Sequence, residues 1–165
     1  MTTMLRTALA IAFLLATVRA ALAEEPFEPS GQERQQVDAC LERNAGEDEL
    51  KLMSDCIGII AKACIDAPDA TTVSLVACHM REQKIWDARL NAWYADAKGR
   101  LEGESATALQ SAQRDWIAFR DAKCGYWQKR YAGGTFASVA AGDCMRVETG
   151  RRAIEMRTIL DDLDH

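Results

Sequence analysis

Between residues 109 and 127 the chain repeats at helical spacing. Leu109, Ala112, Trp116, Phe119, Lys123 and Trp127 step by three and four, which places them on one helix face. Two Trp and a Phe on one stripe require a partner surface, so Trp116 is expected in the core. Gly133-Gly134 ends the run, and Cys124 and Cys144 bracket the break, which predicts a stapled turn. Upstream, Trp86, Leu90, Trp93, Ala97 and Leu101 form a second stripe. It belongs to the longest helix, capped by Thr71 or Thr72 and running to about Arg100. Only a short polar link, 102–105, separates the two helices, with Ser105 as the expected N-cap. Short links make antiparallel neighbours, so Trp86 and Trp93 are expected to meet Trp116 and Phe119.

The flanking segments follow the same pattern. Residues 32–42 predict a short helix whose apolar points are Val37, Cys40 and Leu41. After a turn at 44–48, a helix over 50–65 carries Met53, Cys56, Ile60 and Cys64 on one face. Glu47, Asp48 and Glu49 fall at its start, where the helix dipole favours acids. Pro68 ends it. Beyond the glycine turn a last helix is expected over 145–163, with Val147, Ile154 and Leu163 inward and Ile159 or Leu160 beside them. Glu148 and Arg152 are spaced for an i,i+4 pair, and the acidic tail is expected to fray. Nowhere do β-branched residues alternate over a strand's length. The predicted fold is all-α: a small disulfide-stapled helical bundle with two long antiparallel helices and a Gly-Gly loop before a C-terminal helix.

The start of the chain has a different composition. Arg6 precedes an apolar run over 8–18, and Ala21-Leu22-Ala23 is a small-x-small cleavage pattern. The run is shorter than the roughly 20 residues that span a bilayer. Residues 1–23 therefore read as a signal peptide, with no membrane span after cleavage. Residues 24–165 read as a single domain, 24–31 being a flexible lead-in, in a periplasmic or secreted protein. Two of the 20 basic residues, Arg6 and Arg19, lie in the leader, so the remainder sets 18 basic residues against 25 acidic ones. Such an acidic chain is poorly suited to nucleic acid or anionic lipid and well suited to a basic protein partner.

All six cysteines, Cys40, Cys56, Cys64, Cys78, Cys124 and Cys144, follow the leader. An even count after an export signal reads as disulfides. Six cysteines allow fifteen connectivities. Neighbours in order are preferred, because each pair then closes a short loop of about 15 to 21 residues, contributing about 3 kcal/mol on the chain-entropy model. Spacing argues against a metal site, since there is no C-x-x-C and there are only two His.

Catalytic patterns are missing as well. No G-x-S-x-G, H-E-x-x-H or phosphate-binding loop occurs. A Ser-His-Asp triad would need His79, which adjoins Cys78 and reads as a surface residue. No catalytic residue, metal or cofactor is expected, and the chain reads as not an enzyme. One group of polar residues adjoins the apolar stripes: Asp87, Asn91, Gln113, Arg120, Asp121, Thr149 and Arg152. These read as a structural network in which Arg120 is held by an acid from a neighbouring helix, Asp87 first. The loop over 131–143, with Gly133, Gly134, Thr135, Phe136 and Ser138, is the candidate partner contact. Its plainer reading is a turn between helices, with Phe136 covering the core.

The same residues carry a resemblance. Cys78, then Trp86-Asp87-x-x-Leu90-Asn91-x-x-Tyr94, then Leu109-x-x-x-Gln113-Arg114-x-Trp116-Ile117-x-Phe119-Arg120-Asp121-x-x-Cys124, then Gly133-Gly134-Thr135, then Cys144-x-x-x-x-Thr149-x-x-Arg152 resembles the N-terminal domain family of the lysozyme inhibitor LprI. The resemblance spans about residues 64–160. It implies a small exported helical domain with core cysteines at Cys64, Cys78, Cys124 and Cys144, leaving Cys40 and Cys56 as an extra pair in an N-terminal extension. It further implies binding and blocking of lysozyme by protein contact. The alternative is a non-catalytic periplasmic interaction or scaffold domain for another protein.

Overall fold

The computed structural model describes residues 26–165 and holds six α-helices and, among the described residues, no strand. The leader expected over 1–23 lies outside the described residues. Helix α1, Gly31–Arg43, opens with a capping box in which the Ser30 and Glu33 side chains each accept from the other's backbone N–H. The segment before it is not a free lead-in over its described part. Arg81 donates to the Pro26 carbonyl at 2.9 Å, and Lys84 pairs with Glu28.

The helix expected over 50–65 is two helices. Helix α2, Glu49–Cys56, is capped by Asp48, and α3, Ile59–Ile65, follows a break at Ile57 and Gly58. Gly58 has φ +108°, a region that side chains rarely enter. A Cβ there would also lie 3.3 Å from Arg146 Nη1. Gly58→Ala is expected to cost about 1–3 kcal/mol in urea melts, the usual cost of such backbone strain. The disulfides join Cys40 to Cys56, Cys64 to Cys78 and Cys124 to Cys144, with Cα atoms 5.7, 6.4 and 5.4 Å apart. Two of them tie the short N-terminal helices to each other and to α4.

Three long helices form the body: α4, Thr72–Arg100; α5, Gly103–Arg130; and α6, Phe136–Leu163. Thr71 caps α4 by accepting from Ser74 N–H. Helix α5 begins at Gly103, two residues before the expected cap Ser105. Helices α4 and α6 run parallel, since Glu82 meets Arg146 near one end and Arg100 meets Asp164 at the other. The latter is an exposed pair that links the acidic tail, expected to fray, to the end of α4. Helix α5 runs antiparallel to α6, with Gln113 on Arg152 and Cys124 bonded to Cys144.

It follows that α4 and α5 are antiparallel, as their short link requires. Yet they touch sparsely, because α6 takes the inner face of both. The expected meeting of Trp86 and Trp93 with Trp116 and Phe119 is therefore not the main packing. The reason lies in side-chain size. Helix α6 presents Gly142 and Gly150, and His79 and Trp86 of α4 settle against them. A Cβ on Gly150 would sit 3.0 Å from Ile57 and 3.3 Å from Trp86, and one on Gly142 would sit 3.4 Å from the His79 Cβ. Facing Trp residues would hold two helices apart; glycine lets them close.

The apolar core centres on Trp86, Ile85, Leu90, Ile154 and Met156, all within 2% of full burial, with Val37, Leu52 and Ile60 of the small helices packed on it. Helix α5 contributes Leu109. Its buried face runs Leu109, Gln113 and Cys124, while Ala112 and Phe119 are exposed and Trp116 is half-buried. The expected stripe was rotated toward the apolar residues and away from the polar ones that face inward. On α6 the inward set is Ala153, Ile154, Met156 and Leu160; Val147 is half-buried and Leu163 exposed.

Candidate functional site

The inner stripe of α4 continues back from Trp86 by one turn to Glu82 and by two turns to Cys78. Glu82 is fully buried. Its carboxylate accepts backbone N–H groups from Gly58, Ile60 and Ala61 at 2.5, 3.1 and 2.9 Å. These are donors that α3, lacking a side-chain cap of its own, leaves unsatisfied. Glu82 also accepts from Trp86 Nε1 at 3.2 Å and from Arg146 Nη1 at 3.3 Å. Arg146 reaches further, to Asp143 at 2.5 Å and to His79 Nδ1 at 3.3 Å. A carboxylate buried this deeply is tolerated because five donors meet it.

His79 is buried, not at the surface as expected. Burial holds its pKa below the ordinary value near 6.5; Asp143 and Glu82 pull upward and Arg146 downward. The geometry agrees, because Nδ1 accepts from Arg146 and a proton there would face another donor. A depressed folded pKa favours the folded state above the unfolded value and withdraws that stability as pH falls through it. Thermal melts from pH 7.5 to 5 should therefore show falling stability, with a shallower fall in His79→Gln.

A groove of 620 Å³ opens outward from this cluster. Leu75 and His79 of α4, Val139 and Val147 of α6, and Trp127 and Tyr131 at the end of α5 line it, with Ile65 and Phe136 at its lips. Lys123, Asp143, Glu148 and Arg151 supply its charged lining, Glu148 from a buried position. The aromatic side chains form a chain of contacts. Tyr126 meets Trp127 edge-on at 5.1 Å, Trp127 stacks on Tyr131 at 6.1 Å, and Tyr131 meets Phe136 edge-on at 5.0 Å. Phe136 and Tyr126 remain 55% and 56% exposed, so Phe136 does not cover the core. Large aromatics thus stand exposed beside a concave, largely apolar surface.

The turn itself is shorter than the expected 131–143 loop. It spans 131–135, because the Ala-rich stretch that follows is already the start of α6. Gly133 takes φ +86° and supplies the reversal. Gly133, Gly134 and Thr135 lie in the turn, Phe136 and Ser138 lie on the first turn of α6, and all five are exposed. The Cys124–Cys144 bond clamps the two helices below them.

The polar residues singled out in the sequence divide into separate groups. Arg120 pairs with its neighbour Asp121 at 2.8 Å and stacks on Trp116 at 4.9 Å; Asp87 instead accepts from Asn91 at 3.0 Å. Arg152 donates to Gln113 and to Glu155, both at 2.9 Å, and lies over the same Trp116 ring. Thr149 is fully buried. Glu148 bonds Lys123 at 2.8 Å and Arg151 at 3.4 Å rather than the expected Arg152. Gln113, Trp116, Arg120 and Arg152 thus form one bracket between α5 and α6, and Asp87 lies outside it. The hub of Glu82, His79 and Arg146 was missed in the sequence. Its signal was a lone Glu on the apolar stripe of α4.

Residues 64–156 match the sequence profile described as "Lysozyme inhibitor LprI". The chain belongs to this family. No curated protein and no solved structure matches it. The matched segment holds Cys64, Cys78, Cys124 and Cys144, the Glu82 hub and the whole aromatic turn, while α1 and the Cys40–Cys56 bond precede it or lie outside it. The family's description names an inhibitor. Membership, together with three disulfides, marks an extracytoplasmic protein. Among the described residues no helix is long and apolar enough to cross a membrane, and no group of three or more His, Cys, Asp or Glu is placed to hold a metal ion.

Proposed function

We propose that this chain is a non-catalytic inhibitor that binds a lysozyme and blocks it by protein–protein contact, in the periplasm or after secretion. One observation carries the choice of surface: the family match covers an exposed aromatic turn beside an open apolar groove, clamped by the Cys124–Cys144 bond. A clamped surface loses less freedom on binding, which raises affinity for a given contact area. Aromatic residues supply most of the energy at such contacts. The acidic chain is attracted at long range to basic proteins, and the animal c-type lysozymes are strongly basic.

The test is lysis of cell suspensions by a c-type lysozyme, followed by turbidity, with and without the purified protein. The protein is expected to slow lysis in proportion to its concentration. Phe136→Ala removes an exposed ring, so melting should be nearly unchanged while inhibition weakens at least tenfold, about 1.4 kcal/mol. Unimpaired inhibition by that variant would move the contact surface elsewhere.

A further inference from the structure

The chain as a whole is acidic, yet two cations lead directly into the aromatic turn. Lys129 and Arg130 close the last turn of α5, side by side and exposed. Among the described residues, twelve Lys and Arg side chains, from Lys51 to Arg157, form ion pairs with carboxylates. Lys129 and Arg130 do not, and unlike the other unpaired cations Arg34, Arg43, Lys98 and Arg114 they are adjacent in sequence and lead into the aromatic turn. Arg130 lies over the Tyr131 ring at 5.5 Å, and Tyr131 is itself held between Trp127 and Phe136. The cation is thus backed by a rigid aromatic wedge, and the glycine turn that follows offers no bulk around it. The C-terminal dipole of α5 favours both cations where they are, so presenting them unpaired costs little.

We propose that this wedge, with Lys129 and Arg130 at its tip, is the part that enters the lysozyme cleft and faces the cleft's catalytic carboxylates. The proposal rests on the inhibitor reading and names the surface that performs it. A retaining glycosidase holds two carboxyl groups about 5–5.5 Å apart in a groove shaped for sugar rings. A guanidinium or ammonium placed between them forms charge-assisted hydrogen bonds in a water-poor site. Flat aromatic side chains fit a groove built for rings. The charges then divide the work: the acidic body draws a basic partner in, and the cationic tip complements the one acidic feature of that partner.

Bulk charge and local fit predict opposite results for one variant. Lys129→Glu/Arg130→Glu makes the chain more acidic, so attraction to a basic lysozyme would increase if net charge alone governed binding. The wedge predicts the reverse. Inhibition of an animal c-type lysozyme should weaken at least a hundredfold, mainly through faster dissociation, with melting lowered only by the small loss of the α5 dipole interaction. The exchanged pair Lys129→Arg/Arg130→Lys should keep inhibition within a few-fold. A soluble N-acetylglucosamine oligomer that fills the cleft should compete with the parent protein. Charge-reversed protein that inhibits as well as the parent, or simultaneous binding of parent and oligomer, overturns the wedge while leaving inhibition itself intact. A parent protein that neither binds nor inhibits lysozyme overturns both.

Discussion

Replacing Glu82 by alanine is expected to destabilise the fold by about 3–5 kcal/mol, the cost of breaking a buried charge pair from one side. The change strands more than one group. Arg146 keeps Asp143 but loses its buried carboxylate, and the N–H groups of Gly58, Ile60 and Ala61 lose their acceptor. Each buried donor left without a partner costs about 1–3 kcal/mol. Glu82→Gln keeps the shape and one acceptor oxygen, so it should recover part of the loss. The check is urea unfolding followed by Trp fluorescence. A loss below about 1 kcal/mol in Glu82→Ala would mean that water replaces the carboxylate and that α3 does not depend on it.

Trp86→Ala is the second large effect, about 3–5 kcal/mol, the usual range for removing a fully buried aromatic. Trp86 is 0% exposed, fills the space against Gly150 and Ile57, and donates to Glu82. Because Trp86 and Glu82 share a hydrogen bond, the two losses should not add in a double variant. Trp116→Ala is the informative contrast. Trp116 is half-buried between the guanidinium groups of Arg120 and Arg152. Its loss should be well below that of Trp86, with weakened registry between α5 and α6.

That contrast shows where the sequence is transparent and where it is not. Helix α4 was legible because its apolar stripe from Trp86 to Leu101 and its cap at Thr71 agree with each other. The disulfides follow neighbour order because the chain turns back within each short loop. Helix α5 was misread in rotation. Its inward face is held by polar residues, Gln113 to Arg152 above all, and hydrophobic periodicity cannot count a hydrogen bond between helices. The break at Gly58 was hidden because Met53, Cys56, Ile60 and Cys64 keep helical spacing across it and the acceptor that stabilises it, Glu82, comes from 24 residues later. The start of α6 was placed too late because a run of Ala, Gly and Ser reads as loop. Its purpose, close approach to α4, becomes visible only once the partner is in place.

The candidate site shows the same division. The glycines and Phe136 were legible as a turn between stapled helices. The groove behind them was not, because Ile65, Leu75, Val139 and Val147 come from three helices and acquire meaning only in assembly. His79 reads as a surface residue until Gly142 of α6 closes over it.

The central claim is that the stapled, aromatic end of the molecule is the end that meets lysozyme. Hydrogen exchange of the full chain, with and without a saturating c-type lysozyme, tests it directly. The claim predicts that lysozyme slows exchange over residues 126–139, around Tyr126, the glycine turn and the first turn of α6, and leaves 98–106 and 160–165 unchanged. Protection at that opposite, acidic end with none at the turn would contradict it.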